Sequence, residues 1–236
     1  MKGKIVLVTG AAKRIGRAIA LRLAGEGARV VVHYHTSEAE ALRTAAECGN
    51  AISIRANLER VSEIERMFQE IGDRLGRLDG LVNNAARFAR INPLEIREED
   101  WDFIHSVNLK ATFFCCQRAA LLMQRTGGGK IVNISSLGGI RPWSGSAHYC
   151  ASKAGVIMLT QALAKAFAPR ITVNSVAPGV IPFGDLNPDS EAMVRATPAQ
   201  RPGTGEEVAD AVLYFLKASP YVTGQLLVVD GGLSLR

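Results

Sequence analysis

The sequence has no apolar run long enough to cross a membrane. Its first apolar run, Ile5-Val6-Leu7-Val8 behind the basic Met1-Lys2-Gly3-Lys4, is too short for the core of a signal peptide. Its four cysteines, Cys48, Cys115, Cys116 and Cys150, show neither a CxxC pair nor a Cys/His spacing. That argues against a zinc site or a disulfide framework and reads as reduced thiols in a cytoplasmic protein without a metal. Aromatics make up only 6% of the chain, and the basic residues behind the net charge of +6 are scattered rather than clustered with them. Such a balance suits a solvated surface or an anionic small ligand rather than nucleic acid. No linker, repeat or low-complexity block divides the 236 residues, so the expectation is one domain over 1–236.

What the chain does have is 47% hydrophobic residues in a regular alternation of strand-like and helix-like patterns. Near-continuous apolar runs fall at Ile5 to Val8, Arg29 to His35, Ala51 to Ala56, Leu78 to Val82, Lys130 to Ser135, Ile171 to Val176 and Gln225 to Val229. Helical patterns lie between them, including a long one from about Glu98 to Gln124 and another from about His148 to Phe167. Ser37-Glu38-Ala39-Glu40, Ser62-Glu63-Ile64-Glu65 and Thr204-Gly205-Glu206-Glu207 read as capping boxes, and Gly49 as a helix stop. This alternation predicts an α/β fold: a Rossmann-like, doubly wound parallel β-sheet of about seven strands, with helices on both faces.

Between the first strand and the first helix lies Thr9-Gly10-Ala11-Ala12-Lys13-Arg14-Ile15-Gly16-Arg17. Strand, glycine turn and helix start in that order make a phosphate cradle, because glycines let backbone approach the ligand and the helix N-terminus favours negative charge. A site for NAD places an acidic residue after the second strand to bind the ribose hydroxyls. Here the segment reads His33-Tyr34-His35-Thr36-Ser37, with no acid before Glu38, while Arg14 stands in the glycine turn. Guanidinium, imidazole and hydroxyl donors suit a 2′-phosphate, so the expected cofactor is NADPH/NADP+. Ser37 is equally readable as a helix cap, His33 as a plain strand-end residue, and Asn57 as either an adenine contact or a turn residue.

Tyr149-Cys150-Ala151-Ser152-Lys153 sets a tyrosine and a lysine four residues apart on one helix face. A free tyrosine has a pKa of about 10, and a neighbouring ammonium lowers it toward the range useful for a general acid. Ser136, at the end of the fifth strand, is placed to bond the same carbonyl oxygen, and Asn108 to hold a water leading to Lys153.

The Thr9–Gly16 turn, Asn83-Asn84-Ala85, Asn108, Ser136, Tyr149-x-x-x-Lys153, Pro178-Gly179 and the closing Val222-Thr223-Gly224…Asp230-Gly231-Gly232 together resemble the short-chain dehydrogenase/reductase family over nearly the whole chain. The resemblance implies Tyr149 as acid/base and Lys153 as its pKa modulator and nicotinamide-ribose ligand. It implies Ser136 as the substrate-orienting hydroxyl and Asn108 as part of a proton relay. It also implies a cofactor site completed by Gly10, Ile15, Gly16, Leu58, Asn84, Ala85, Pro178, Gly179, Val180 and Ile181, and a homo-oligomer, tetramer or dimer. The expected activity is hydride transfer to a carbonyl substrate, a 3-oxoacyl compound or other ketone. Arg14, the segment after the second strand and Phe88 resemble the pteridine reductase and dihydromonapterin reductase branch, in which an aromatic ring stacks on a pterin; Phe88 is otherwise a loop anchor. Ser136 stands where that branch carries an aspartate, and points back to ketones. A third reading, of another class, is a non-catalytic regulator that senses NADPH. The loop from about Val180 to Thr197 is expected to cover the substrate.

Overall fold

Seven short apolar runs pair into one parallel sheet in the order β3-β2-β1-β4-β5-β6-β7. The strands are β1 (Ile5–Val8), β2 (Arg29–Tyr34), β3 (Ile52–Arg55), β4 (Gly80–Asn83), β5 (Gly129–Ile134), β6 (Ile171–Pro178) and β7 (Leu226–Val229). The computed structural model describes residues 1–186 and 188–235; Asn187, inside the expected substrate loop, and Arg236 lie outside the described residues. Within β1, Ile5 and Leu7 enter one apolar layer while Val6 and Val8 enter the other. Both faces are therefore covered, which is why the strands read as unbroken apolar runs instead of alternating ones.

The helices are α1 (Arg14–Gly25), α2 (Glu38–Glu47), α3 (Val61–Leu75), α4 (Glu98–His105), α5 (Thr112–Arg125), α6 (Ala147–Phe167), α7 (Pro188–Ala196) and α8 (Gly205–Lys217). One layer packs α3, α5 and part of α6 on the sheet, and the other packs α1 and α8. None of the helices described is long and apolar enough to cross a membrane.

The structure corrects the sequence in four local places. The expected single helix from 98 to 124 is broken by a π-helical stretch, Ser106–Ala111, which carries Asn108. Such bulges arise where a side chain or backbone group is diverted from the regular ladder. Helix α3 begins at Val61, so Ser62 lies inside it and caps nothing; Glu63 instead accepts the Asn57 backbone N–H at 2.7 Å. Ser37 flanks α2 without a side-chain capping bond, whereas the Thr204/Glu207 capping box forms in both directions. The loop after β6 is not wholly irregular, since α7 forms within it.

The chain leaves β1, turns, and pairs β2 on one side while β4 takes the other. Ligand crevices of doubly wound sheets open at that reversal, beyond the carboxyl ends of the strands. Turn 9–16, Asn57, Asn84 and Ser136 all follow directly on such ends.

Candidate active site

A cleft of about 380 Å³ opens over the β1/β4 reversal, lined among others by Gly10, Lys13, Arg14, Ile15, Gly16, His35, Leu58, Asn84, Ala85 and Phe183. Among the described residues no carboxylate lines it, while Lys13, Arg14, His35 and Arg87 do. The turn is held from the sheet side: the Asn84 amide donates to the carbonyls of Thr9 and Gly10 at 2.9 and 3.2 Å, and Thr9 Oγ1 accepts the N–H groups of Asn84 and Ala85. Arg14 sits at φ +57°, a left-handed conformation that disfavours any residue with a Cβ. Its guanidinium lies 5.8 Å from the centre of the Phe183 ring, a cation–π contact reaching into the loop after β6.

His33 is not a free donor at this site. Its Nδ1 accepts the Gly10 backbone N–H at 3.0 Å and its Nε2 faces the Ala56 carbonyl at 3.1 Å, so the bonds place the proton on Nε2 and leave no N–H for a ligand. The ring is a buried strut under the turn, and burial pushes its pKa down to about 4. The unfolded chain, with histidine near 6.5, then binds more protons than the folded one between those values. Stability is expected to be intact above about pH 6.5 and to fall by on the order of 3 kcal/mol as pH drops toward about 4. Urea unfolding at pH 7.5 and pH 5 checks this: a His33→Gln variant should show a flatter loss than the native chain.

Other residues of that segment divide. Tyr34 is buried and donates its hydroxyl to Glu38 at 3.1 Å, away from the cleft, and Thr36 and Ser37 are not among the lining residues. Asn57 lines the cleft, but its side chain closes its own turn, accepting Glu59 N–H at 3.1 Å and donating to the Glu59 carboxylate at 3.2 Å. Pro178, Gly179, Val180 and Ile181 also stand outside the lining. Pro178 pairs with β7, Gly179 donates to Val229, Val180 accepts from Gly203, and Ile181 packs on the core. Among the described residues of this loop Phe183, a few residues on, reaches the cleft, and Lys13 joins it from the turn. Sequence reasoning missed both; Lys13 was readable as a cation in an anion-binding turn, while Phe183 stood in a loop without periodicity.

Ser136, Tyr149 and Lys153 come together at the end of β5. Ser136 is buried and accepts the Gly138 N–H at 3.1 Å, and its hydroxyl is close enough to the Tyr149 phenol to favour the phenolate. Tyr149 and Lys153 occupy successive turns at the start of α6. Burial raises the Tyr149 pKa, opposed by the neighbouring Ser136 hydroxyl. Lys153 Nζ lies 5.9 Å from the tyrosine ring centre and donates to the Ile134 carbonyl at 2.9 Å. Burial pushes Lys153 down to about 8.

Asn108 has protein partners of its own. Its Oδ1 accepts Arg87 N–H at 2.7 Å, and its Nδ2 donates to the Arg87 carbonyl at 2.9 Å and to Ser152 Oγ at 3.1 Å. Its carbonyl accepts the Thr112 hydroxyl at 2.8 Å. The side-chain amide clamps the loop after β4, which carries Phe88, onto α6. Phe88 packs edge-on against Tyr149 with ring centres 4.9 Å apart. Trp143, absent from the sequence reading, joins the same cluster.

A doubly wound sheet with a cation-lined crevice and a hydroxyl pair over a buried lysine defines a nicotinamide-dinucleotide oxidoreductase. The family model described as enoyl-(acyl carrier protein) reductase matches residues 10–234. A 3-oxoacyl-[acyl-carrier-protein] reductase of Synechocystis sp. is 38% identical, covering 99% of this chain and 98% of that protein. The 3-oxoacyl-[acyl-carrier-protein] reductase FabG of Staphylococcus aureus is 40% identical, with 98% of each chain covered. A granaticin polyketide synthase putative ketoacyl reductase of Streptomyces violaceoruber is 38% identical, with 98% and 96% covered. Among solved structures, a Serratia marcescens short-chain dehydrogenase/reductase double mutant superposes with a TM-score of 0.94 at 32% identity, covering 99% of this chain and 98% of that one. Acetoin dehydrogenase from Enterobacter cloacae gives 0.90 at 33%, with 98% and 96% covered. The chain belongs to the short-chain dehydrogenase/reductase family and is an oxidoreductase using a nicotinamide cofactor. These relatives lend no support to the pterin branch, and the edge-on packing of Phe88 on Tyr149 gives that ring a use without a pterin.

Proposed function

We propose that the chain is an NADP(H)-dependent carbonyl reductase whose substrates are ketones of the 3-oxoacyl type, the class named in its relatives. The observation that carries the reading is the grouping of Ser136, Tyr149 and buried Lys153 at the end of β5, on a sheet whose crevice after β1 is lined by Lys13 and Arg14 and, among the described residues, by no carboxylate. The residues fit the cofactor: Gly16 lets α1 start close under the turn, so that its N-terminus faces the crevice, and Lys13, Arg14 and His35 supply donors for a 2′-phosphate that an acid would repel. When bound, NADPH supplies the hydride. Tyr149 donates the proton to the carbonyl oxygen, Ser136 orients that oxygen, and the Lys153 ammonium favours the phenolate left behind. The aliphatic side chains of Leu121 on α5 and Met158 on α6 are exposed and suit a homo-oligomer built through these long helices.

Oxidation of NADPH by an acetoacetyl thioester tests the activity, and Arg14 tests the cofactor. Native protein is expected to bind NADPH at least about tenfold tighter than NADH, the equivalent of one well-made charge-assisted contact. Arg14→Ala should erase most of that gap by weakening NADPH alone. Equal affinities in the native chain, read by fluorescence titration, would overturn the cofactor assignment.

A further inference from the structure

Two aromatic rings crowd the Tyr149 ring in a chain with few aromatics. Trp143 lies nearly parallel to Tyr149, with ring centres 5.9 Å apart and an angle of 9°. Phe88 stands perpendicular to both, 4.9 Å from Tyr149 and 6.5 Å from Trp143. The three residues come from separate segments, so the cluster is a product of the fold and not of one sequence motif. It is also fixed in place. The Asn108 amide clamps Arg87, the residue before Phe88. A Cβ on Gly138 would lie 3.0 Å from Trp143 Cε3 and Cζ3, so the indole is seated directly on the turn that carries Ser136. The Ile91 N–H donates to the Gly145 carbonyl at 3.0 Å and joins the two loops. The neighbouring cation, Arg90, is paired with Asp189 at the start of α7. Phe88 nonetheless keeps 57% of its surface exposed, and Trp143 is half-buried.

We propose that Phe88 and Trp143 form an aryl-binding wall beside Tyr149, so that the preferred ketone carries an aromatic or other flat unsaturated ring next to its carbonyl. The inference rests on the carbonyl reductase reading and names the substrate class of that site. A carbonyl oxygen bonded to Ser136 and Tyr149 leaves its substituents no way to avoid these rings. A flat ring gains face and edge contacts there that a saturated chain does not match. The balance is that of the parent reaction: the carbonyl carbon takes the hydride, its oxygen takes the Tyr149 proton, and NADPH leaves as NADP+ beside a secondary alcohol.

The test compares ethyl benzoylacetate with ethyl acetoacetate, which share the ester and differ in phenyl against methyl at the ketone. Because conjugation alters intrinsic reactivity, the quantity read is the aryl-to-alkyl ratio of kcat/KM across variants. In Phe88→Ala and Trp143→Ala that ratio should fall about tenfold from the native value, chiefly through a raised KM for the aryl ester. Trp143→Phe should restore most of it, and NADPH titration verifies that each variant is folded. An unchanged ratio in both alanine variants would overturn the wall, as would native turnover of the acetoacetate alone. Failure of the native chain to reduce either ester or an acetoacetyl thioester would instead remove the carbonyl reductase reading beneath it.

Discussion

A Tyr149→Phe variant is expected to bind NADPH as the native protein does and to lose about a thousandfold in kcat. A positioned general acid contributes about 10² to 10⁴ in rate, and the proposed site holds no second acid to take over. Ser136 is buried, but a serine hydroxyl is a poor proton donor at neutral pH, and Lys153 points its ammonium at the Ile134 carbonyl. The substitution removes one oxygen and keeps the ring, so its packing against Trp143 and Phe88 should survive. Cofactor affinity depends on the turn after β1 and should not follow kcat. Single-turnover measurements with saturating NADPH separate the two quantities. Retained turnover would show that the proton comes from elsewhere. A parallel loss of NADPH binding would make Tyr149 a structural residue.

The sheet was legible from local chemistry, and the grouping of Ser136, Tyr149 and Lys153 from the ordered motifs that resemble one family. Continuous apolar runs announce strands covered on both faces, and Tyr149 with Lys153 needs only the helical repeat to share a face. What escaped was decided by partners distant in sequence. His33 was readable as a donor until Gly10 and Ala56 claimed both its nitrogens. The clamp that Asn108 makes on the Arg87 backbone from the π-helical stretch had no signal in the sequence. Trp143 and Phe183 carried no sequence signal, because their loops have no periodicity and only the packing of β5, β6 and α6 brings those loops to the crevice. Ser62 shows the same limit for a cap: the motif was present, but the chain entered α3 earlier.

Gly16 carries the other large expected effect. Helix α1 starts so close under the turn that a Cβ here would press into the Gly10 carbonyl oxygen, lie 2.5 Å from Asn84 Nδ2 and reach 2.9 Å from Ala11 Cα. Two of those three neighbours are backbone, and the third is the amide that anchors the turn to β4. None can yield without moving the cradle, so Gly16→Ala should cost about 1–3 kcal/mol as an overpacked site does. The NADPH cost should be larger, with affinity falling at least about a hundredfold, because a displaced turn loses several backbone contacts to phosphate at once. Gly25, at the other end of the same helix, is the internal control: a Cβ there meets nothing within 4 Å. Gly25→Ala should therefore stabilise the protein by about 0.4–1 kcal/mol through the unfolded chain and leave NADPH binding as it is. Thermal unfolding should shift in opposite directions in the two variants, and NADPH titration should weaken in Gly16→Ala alone if the turn is the cofactor cradle. A Gly16→Ala protein that bound NADPH normally would show that the cofactor phosphates are held somewhere other than this turn.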